Sequence, residues 1–65
     1  MFERIQVDPK IHFGKLFVRG TLITIENVLE LINEGLSFDD IIQDYFPDLV
    51  KDDVKECQEF FAAIN

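Results

Sequence analysis

TIENVLELINEGLSFDDIIQDYFP, residues 24–47, decides the fold. Thr24 carries a hydroxyl that can cap a helix. Ile25, Val28, Leu29 and Ile32 follow at i, i+3, i+4 and i+7, the single apolar face of an α-helix. Gly35 suits the left-handed position just past a helix end. That places Leu31 three residues from the end and Leu36 where it can make the apolar contact of a Schellman ending, which explains an apolar Leu31 off the main stripe. Ser37 then opens a second helix. Its hydroxyl is spaced to accept from the backbone N–H of Asp40, and Asp39 and Asp40 sit in the positive end of the helix dipole. Phe38, Ile41, Ile42 and Tyr45 repeat the helical spacing. Pro47 biases Phe46 out of helical geometry, so this helix has about two turns. Helix, glycine turn and short helix make a helix-turn-helix outline.

Downstream, a third helix is predicted from Lys51 to Ala63. Val50, Val54, Cys57, Phe61 and Ile64 are spaced 4, 3, 4, 3, a heptad-like stripe suited to a core or to a partner helix, with Phe60 beside it. Upstream, residues 1–23 read as extended. Arg4-Ile5-Gln6-Val7 alternates polar and apolar, and Asp8-Pro9 breaks the run. Leu16-Phe17-Val18 is a short β-favouring run bracketed by Gly14 and Gly20. Ile23 adds a brief third extended piece. Strands this short must pack on helices or pair with another copy, and residues 16–18 read as an open edge. The fold class expected is mainly α: one domain over 1–65, an extended β-hairpin-like arm at 1–23 and a three-helix, homeodomain-like bundle at 24–65. Gly14, Gly20, Gly35 and Pro47 are its structural punctuation.

The chain has 65 residues, 48% of them hydrophobic, so it is one small domain and not a disordered tail. A core this small is marginal by itself, so self-association or a partner is expected, and a conventional enzyme cleft is not. Net charge is −7 and unevenly placed. Residues 1–24 carry four bases (Arg4, Lys10, Lys15, Arg19) against two acids, a net of +2. Residues 25–65 carry eleven acids against Lys51 and Lys55, a net of −9. The acidic part repels phosphates and attracts basic surfaces; only the first part has the sign for nucleic acid. Cys57 is the lone cysteine, which excludes an intrachain disulfide or a CxxC metal site, and its acidic neighbours Glu56 and Glu59 disfavour a thiolate. No apolar run approaches a membrane span and no secretory signal is evident, which gives the expectation of a cytoplasmic protein.

Read end to end, the string resembles a known family. Ile5-Gln6-Val7-Asp8-Pro9-Lys10-Ile11 is followed by Gly14-Lys15 and Val18-Arg19-Gly20-Thr21. Val28-Leu29-Glu30-Leu31 and Gly35 come next, then Asp40-Ile41-Ile42-Gln43-Asp44-Tyr45, Pro47-Asp48-Leu49 and Asp53-Val54. Their order and spacing resemble domain-of-unknown-function family 433 over nearly all of residues 4–61. The resemblance implies a small homeodomain-like helical fold behind a β-hairpin-like arm. It also implies an antitoxin-like role beside a PIN-like nuclease, with autoregulatory DNA binding as a second activity. The sequence departs from the family pattern at Leu16, usually proline, at Leu22, usually arginine, and at Val50, usually a Thr or Ser cap. Phe46 is an extra residue before Pro47.

No pattern supports catalysis, so no enzyme activity is expected. His12 is the only histidine and has no Ser, Cys or carboxylate pattern to make it a base; it reads as a solvent-facing loop residue. Asp39/Asp40 and Asp52/Asp53 are adjacent helical residues that point apart, and first-turn dipole stabilisation accounts for them without a metal. Gly14-Lys15 lacks the rest of a phosphate loop. No cofactor, metal, membrane or small-molecule substrate is expected. The predicted protein-contact residues are Phe60 and Phe61 with the third-helix acids Asp52, Asp53, Glu56 and Glu59. A DNA-contact reading rests on Arg4, Lys15 and Arg19. The partners expected are a PIN-like nuclease and a second copy of the chain, with DNA as the alternative of a dimeric repressor. A structural oligomeric module is the third reading.

Overall fold

A computed structural model describes residues 2–64, the side chain of His12 excepted. The reading of His12 as solvent-facing therefore lies outside the described side chains. In chain order the elements are β1 (Ile5–Val7), a 3₁₀ turn (His12–Gly14), β2 (Leu16–Val18), α1 (Ile25–Asn33), α2 (Phe38–Asp44) and α3 (Lys51–Ile64). The domain is mainly helical, with an N-terminal antiparallel strand pair.

The helix boundaries follow from side-chain chemistry. Thr24 Oγ1 accepts from the Asn27 N–H at 3.2 Å and starts α1. Its end is a Schellman motif: the Leu36 N–H donates to the Leu31 carbonyl at 3.3 Å and the Gly35 N–H to the Ile32 carbonyl at 3.0 Å. Gly35 takes φ +94, a backbone state that costs an L-residue but not glycine. Ser37 Oγ accepts from the Asp40 N–H at 3.1 Å and starts α2. The Phe46 N–H closes α2 on the Ile41 carbonyl at 2.8 Å, and a turn over Pro47 brings the Leu49 N–H to the Phe46 carbonyl at 3.0 Å.

β1 and β2 pair in the register Ile5↔Val18, Gln6↔Phe17, Val7↔Leu16. The arm is not loose. Phe17 and Val18 are buried, and Val18 joins the core formed by Ile25, Val28, Ile41, Leu49, Val54 and Cys57. The open edge expected at residues 16–18 is covered instead. Phe17 bridges to Thr24, and the Val18 N–H donates to the Ile23 carbonyl at 2.9 Å. The brief extended piece at Ile23 thus becomes a third rung against β2.

The stripe on α3 also divides differently from its spacing. Val54 and Cys57 are fully buried and Phe60 packs against the core, but Val50, Phe61 and Ile64 are largely exposed. From Cys57, positions +3 and +4 flank the same line on the helix. The core takes the +3 side, Phe60, whose ring meets Phe2 edge-to-face at 5.1 Å and 84°. Phe61 is left on the outer side.

Candidate protein-binding groove

The outer side of α3 is one wall of a groove. Leu29 and Ile32 of α1, Phe60, Phe61 and Ile64 of α3, and Leu16 of β2 supply its apolar surface. The groove is open to solvent along its length and offers about 940 Å³. It exists because α1 carries Leu29 and Ile32 at i and i+3, beside the buried Ile25 and Val28, while α3 runs two turns beyond Cys57 with an apolar residue on the same side at each turn. Phe61 is 48% exposed and Ile64 65%. Glu26 and Glu30 of α1 stand on its rim, with Lys15, Asn33 and Gln58. An apolar floor with two carboxylates above it can take an amphipathic segment whose flank is basic.

The predicted contact residues separate into two groups. Phe60 and Phe61 meet in the groove, but Asp53 and Glu56 turn inward. Asp53 has 12% of its side chain exposed; its Oδ1 accepts from Arg4 Nη1 at 2.9 Å and its Oδ2 from the Val50 N–H at 3.0 Å. Glu56 Oε2 accepts from the Arg4 backbone N–H at 2.6 Å. These two acids therefore staple the arm to α3 and are not free for another protein. Asp52, whose Oδ2 lies 3.7 Å from Arg4 Nη2, stays exposed, as does Glu59. Asp53 also supplies what Val50 cannot. The carboxylate three residues into the helix reaches back to the backbone N–H that a Thr or Ser cap would accompany.

The cations predicted for DNA are likewise divided. Arg4 spends its guanidinium on Asp53 and Asp52, and its pKa is raised, chiefly by the Asp53 hydrogen bond and then, against a lowering by desolvation, by the charges of Asp53, Asp52 and Glu56. Arg19 is beside it across the strand pair, where its N–H donates to the Arg4 carbonyl at 2.7 Å. Lys15 lies at the other end of that pair, roughly 13 Å along the strands, with its Nζ 3.8 Å from Glu26 Oε2. No single basic face results. α2 and α3 are tied by Lys51 Nζ to Asp39 Oδ1 at 3.1 Å, an exposed pair worth little.

Cys57 is buried, and its thiol is pushed up to about 12 by desolvation first and then by the charges of Asp53 and Glu56, so it stays protonated and unreactive. Among the described residues no three His, Cys, Asp or Glu side chains converge as a metal site needs, and no helix is long and apolar enough to cross a membrane.

Sequence reasoning missed three things here: the rim acids Glu26 and Glu30, the Arg4–Asp53 staple, and Phe2 as the partner of Phe60. Asp53 had a readable signal, an acid three residues after Val50 at a helix start. The rim acids had none, because only the packing of α1 on α3 shows which side of α1 stays open.

Comparison with known proteins gives one result. The family model described as "Protein of unknown function (DUF433)" matches residues 5–61. No curated protein and no solved structure gives a significant match.

Proposed function

The chain belongs to the DUF433 family, and we propose that it is a non-catalytic inhibitory subunit, the antitoxin of a PIN-like ribonuclease, which it binds through the groove between α1 and α3. The observation that carries this is the groove itself: about 940 Å³ of space over an apolar floor, with Glu26 and Glu30 on its rim. A nuclease that grips RNA presents a basic surface. An amphipathic helix from that surface would bury its apolar face on Leu29, Ile32, Phe60, Phe61 and Ile64 and set its bases against the two glutamates. The net −9 of residues 25–65 would speed encounter, and the buried aromatic contacts would set residence time. The ribonuclease class comes from the family resemblance; the mode of docking comes from the groove.

DNA binding has less support. Arg4 is engaged internally, and α2 and α3 present Asp39, Asp40, Asp44, Asp52 and Glu59 where a groove-reading helix carries bases. The test is co-expression of the full chain with the product of the adjacent gene. A complex that survives purification at low salt is the expected result, and separate elution of the two proteins would refute the reading.

A further inference from the structure

We propose that, when no other protein is bound, a second copy of this chain fills the groove, with Phe13 of each copy seated in the groove of the other. Phe13 is fully exposed and has φ +56, which makes it the one non-glycine residue with positive φ among those described. A bulky side chain in that state is an outlier that needs holding in place. The turn around it does so. The Ile11 N–H donates to the Asp8 carbonyl at 2.9 Å, the Gly14 N–H to the Ile11 carbonyl at 3.1 Å, and the Lys10 N–H to Asp8 Oδ1 at 2.9 Å.

The next three residues, Gly14, Lys15 and Leu16, line the groove. The knob thus directly precedes one wall of the hole in the chain, an arrangement suited to a two-fold interface, in which the same region must be both donor and receiver. Charge favours this pairing over others. The Asp8–Lys15 segment carries Lys10 and Lys15 against Asp8 alone; Lys15 already faces Glu26 of its own chain at 3.8 Å, so Lys10 is the base that would meet Glu26 and Glu30 of the other copy. Any contact of helix face on helix face would instead oppose two strongly acidic surfaces. A standard interface takes about 800 Å² from each partner, roughly a sixth of this chain's 4592 Å². Phe13, Phe61 and Ile64 would all be covered.

The pairing stands on the chain alone. It adds to the proposed function a competition, since a partner helix and Phe13 claim the same apolar floor and the dimer must open for the nuclease to bind.

Sedimentation equilibrium of the purified full chain, without partner, from low micromolar to several hundred micromolar, tests this. The expected mass is twice 7.6 kDa. F13D and I64D should each weaken association at least tenfold with unchanged helical circular dichroism. Phe13 lies outside the core, and Asp tolerates positive φ better than Phe, so F13D keeps its fold. Mixed in equal amounts, the two variants should form a mixed dimer, because one intact knob and one intact groove remain. A wild type that is monomeric throughout, an F13D that stays dimeric, or variants that fail to complement would overturn the proposal, and each would do so whether or not the nuclease reading holds.

Discussion

Substituting Asp53 separates a structural acid from a surface one. Its Oδ2 accepts the Val50 N–H at 3.0 Å and its Oδ1 the Arg4 guanidinium at 2.9 Å. Asp53→Ala removes both. Loss of a helix-start cap costs about 1 kcal/mol, and Val50 is exposed enough for water to recover some of it. The lost tie to Arg4 adds to that cost, because the arm then leans on Glu56 and the more distant Asp52. For a domain of this size 1 kcal/mol corresponds to a melting shift of about 4–8 °C, so Asp53→Ala should melt lower by at least that much. Asp53→Asn keeps an oxygen for Val50 and loses the ionic contact, and should fall between Ala and wild type. Glu59→Gln, on an exposed position of the same helix, should stay within about 0.5 kcal/mol of wild type. Thermal and urea unfolding followed by circular dichroism reads all three. An Asp53→Ala protein no less stable than Glu59→Gln would refute the assignment of Asp53 to the fold and return it to the surface.

Other substitutions test other joints. Ile41, fully buried in a seven-residue helix, should cost about 2–5 kcal/mol as Ala, most of what a core this size supplies, so Ile41→Ala should lose its cooperative melt at 25 °C. Gly35→Ala meets no atom but must hold φ +94, and should lose about 1 kcal/mol by urea titration from backbone strain alone. The Cys57 thiol, raised from 9.0 to about 12 on folding, stays protonated in the folded chain while the unfolded chain ionises. Its contribution to stability is therefore whole below pH 9 and declines as pH rises from about 9 towards 12; Cys57→Ala should lack that component of the decline in unfolding curves.

Much of the fold was legible because its signals are local. Thr24, Ser37, Gly35 and Pro47 each act on backbone within a few residues, and each sits where its chemistry placed it. β2 was readable from a three-residue apolar run between glycines. The site was less legible because its signals are not local. Phe60 and Phe61 are neighbours of equal hydrophobicity, and only the docking of α3 on α1 and on Phe2 decides which one enters the core. Arg4 and Asp53 are separated by 49 positions, so nothing in either segment tells that the base and the acid satisfy one another. Nothing in the sequence around Phe13 singles it out, and its exposure and backbone state appear only in three dimensions.

The most direct measurement titrates the chain into the ribonuclease proposed as its partner while RNA cleavage is followed. Wild-type chain should stop cleavage as it approaches stoichiometry with the nuclease. Phe61→Ala with Ile64→Ala should need at least tenfold more protein, while Glu59→Gln should lose little. Cleavage at full rate with excess wild-type chain, or equal inhibition by the groove variant, would contradict the claim that this small acidic domain works by covering another protein through that groove.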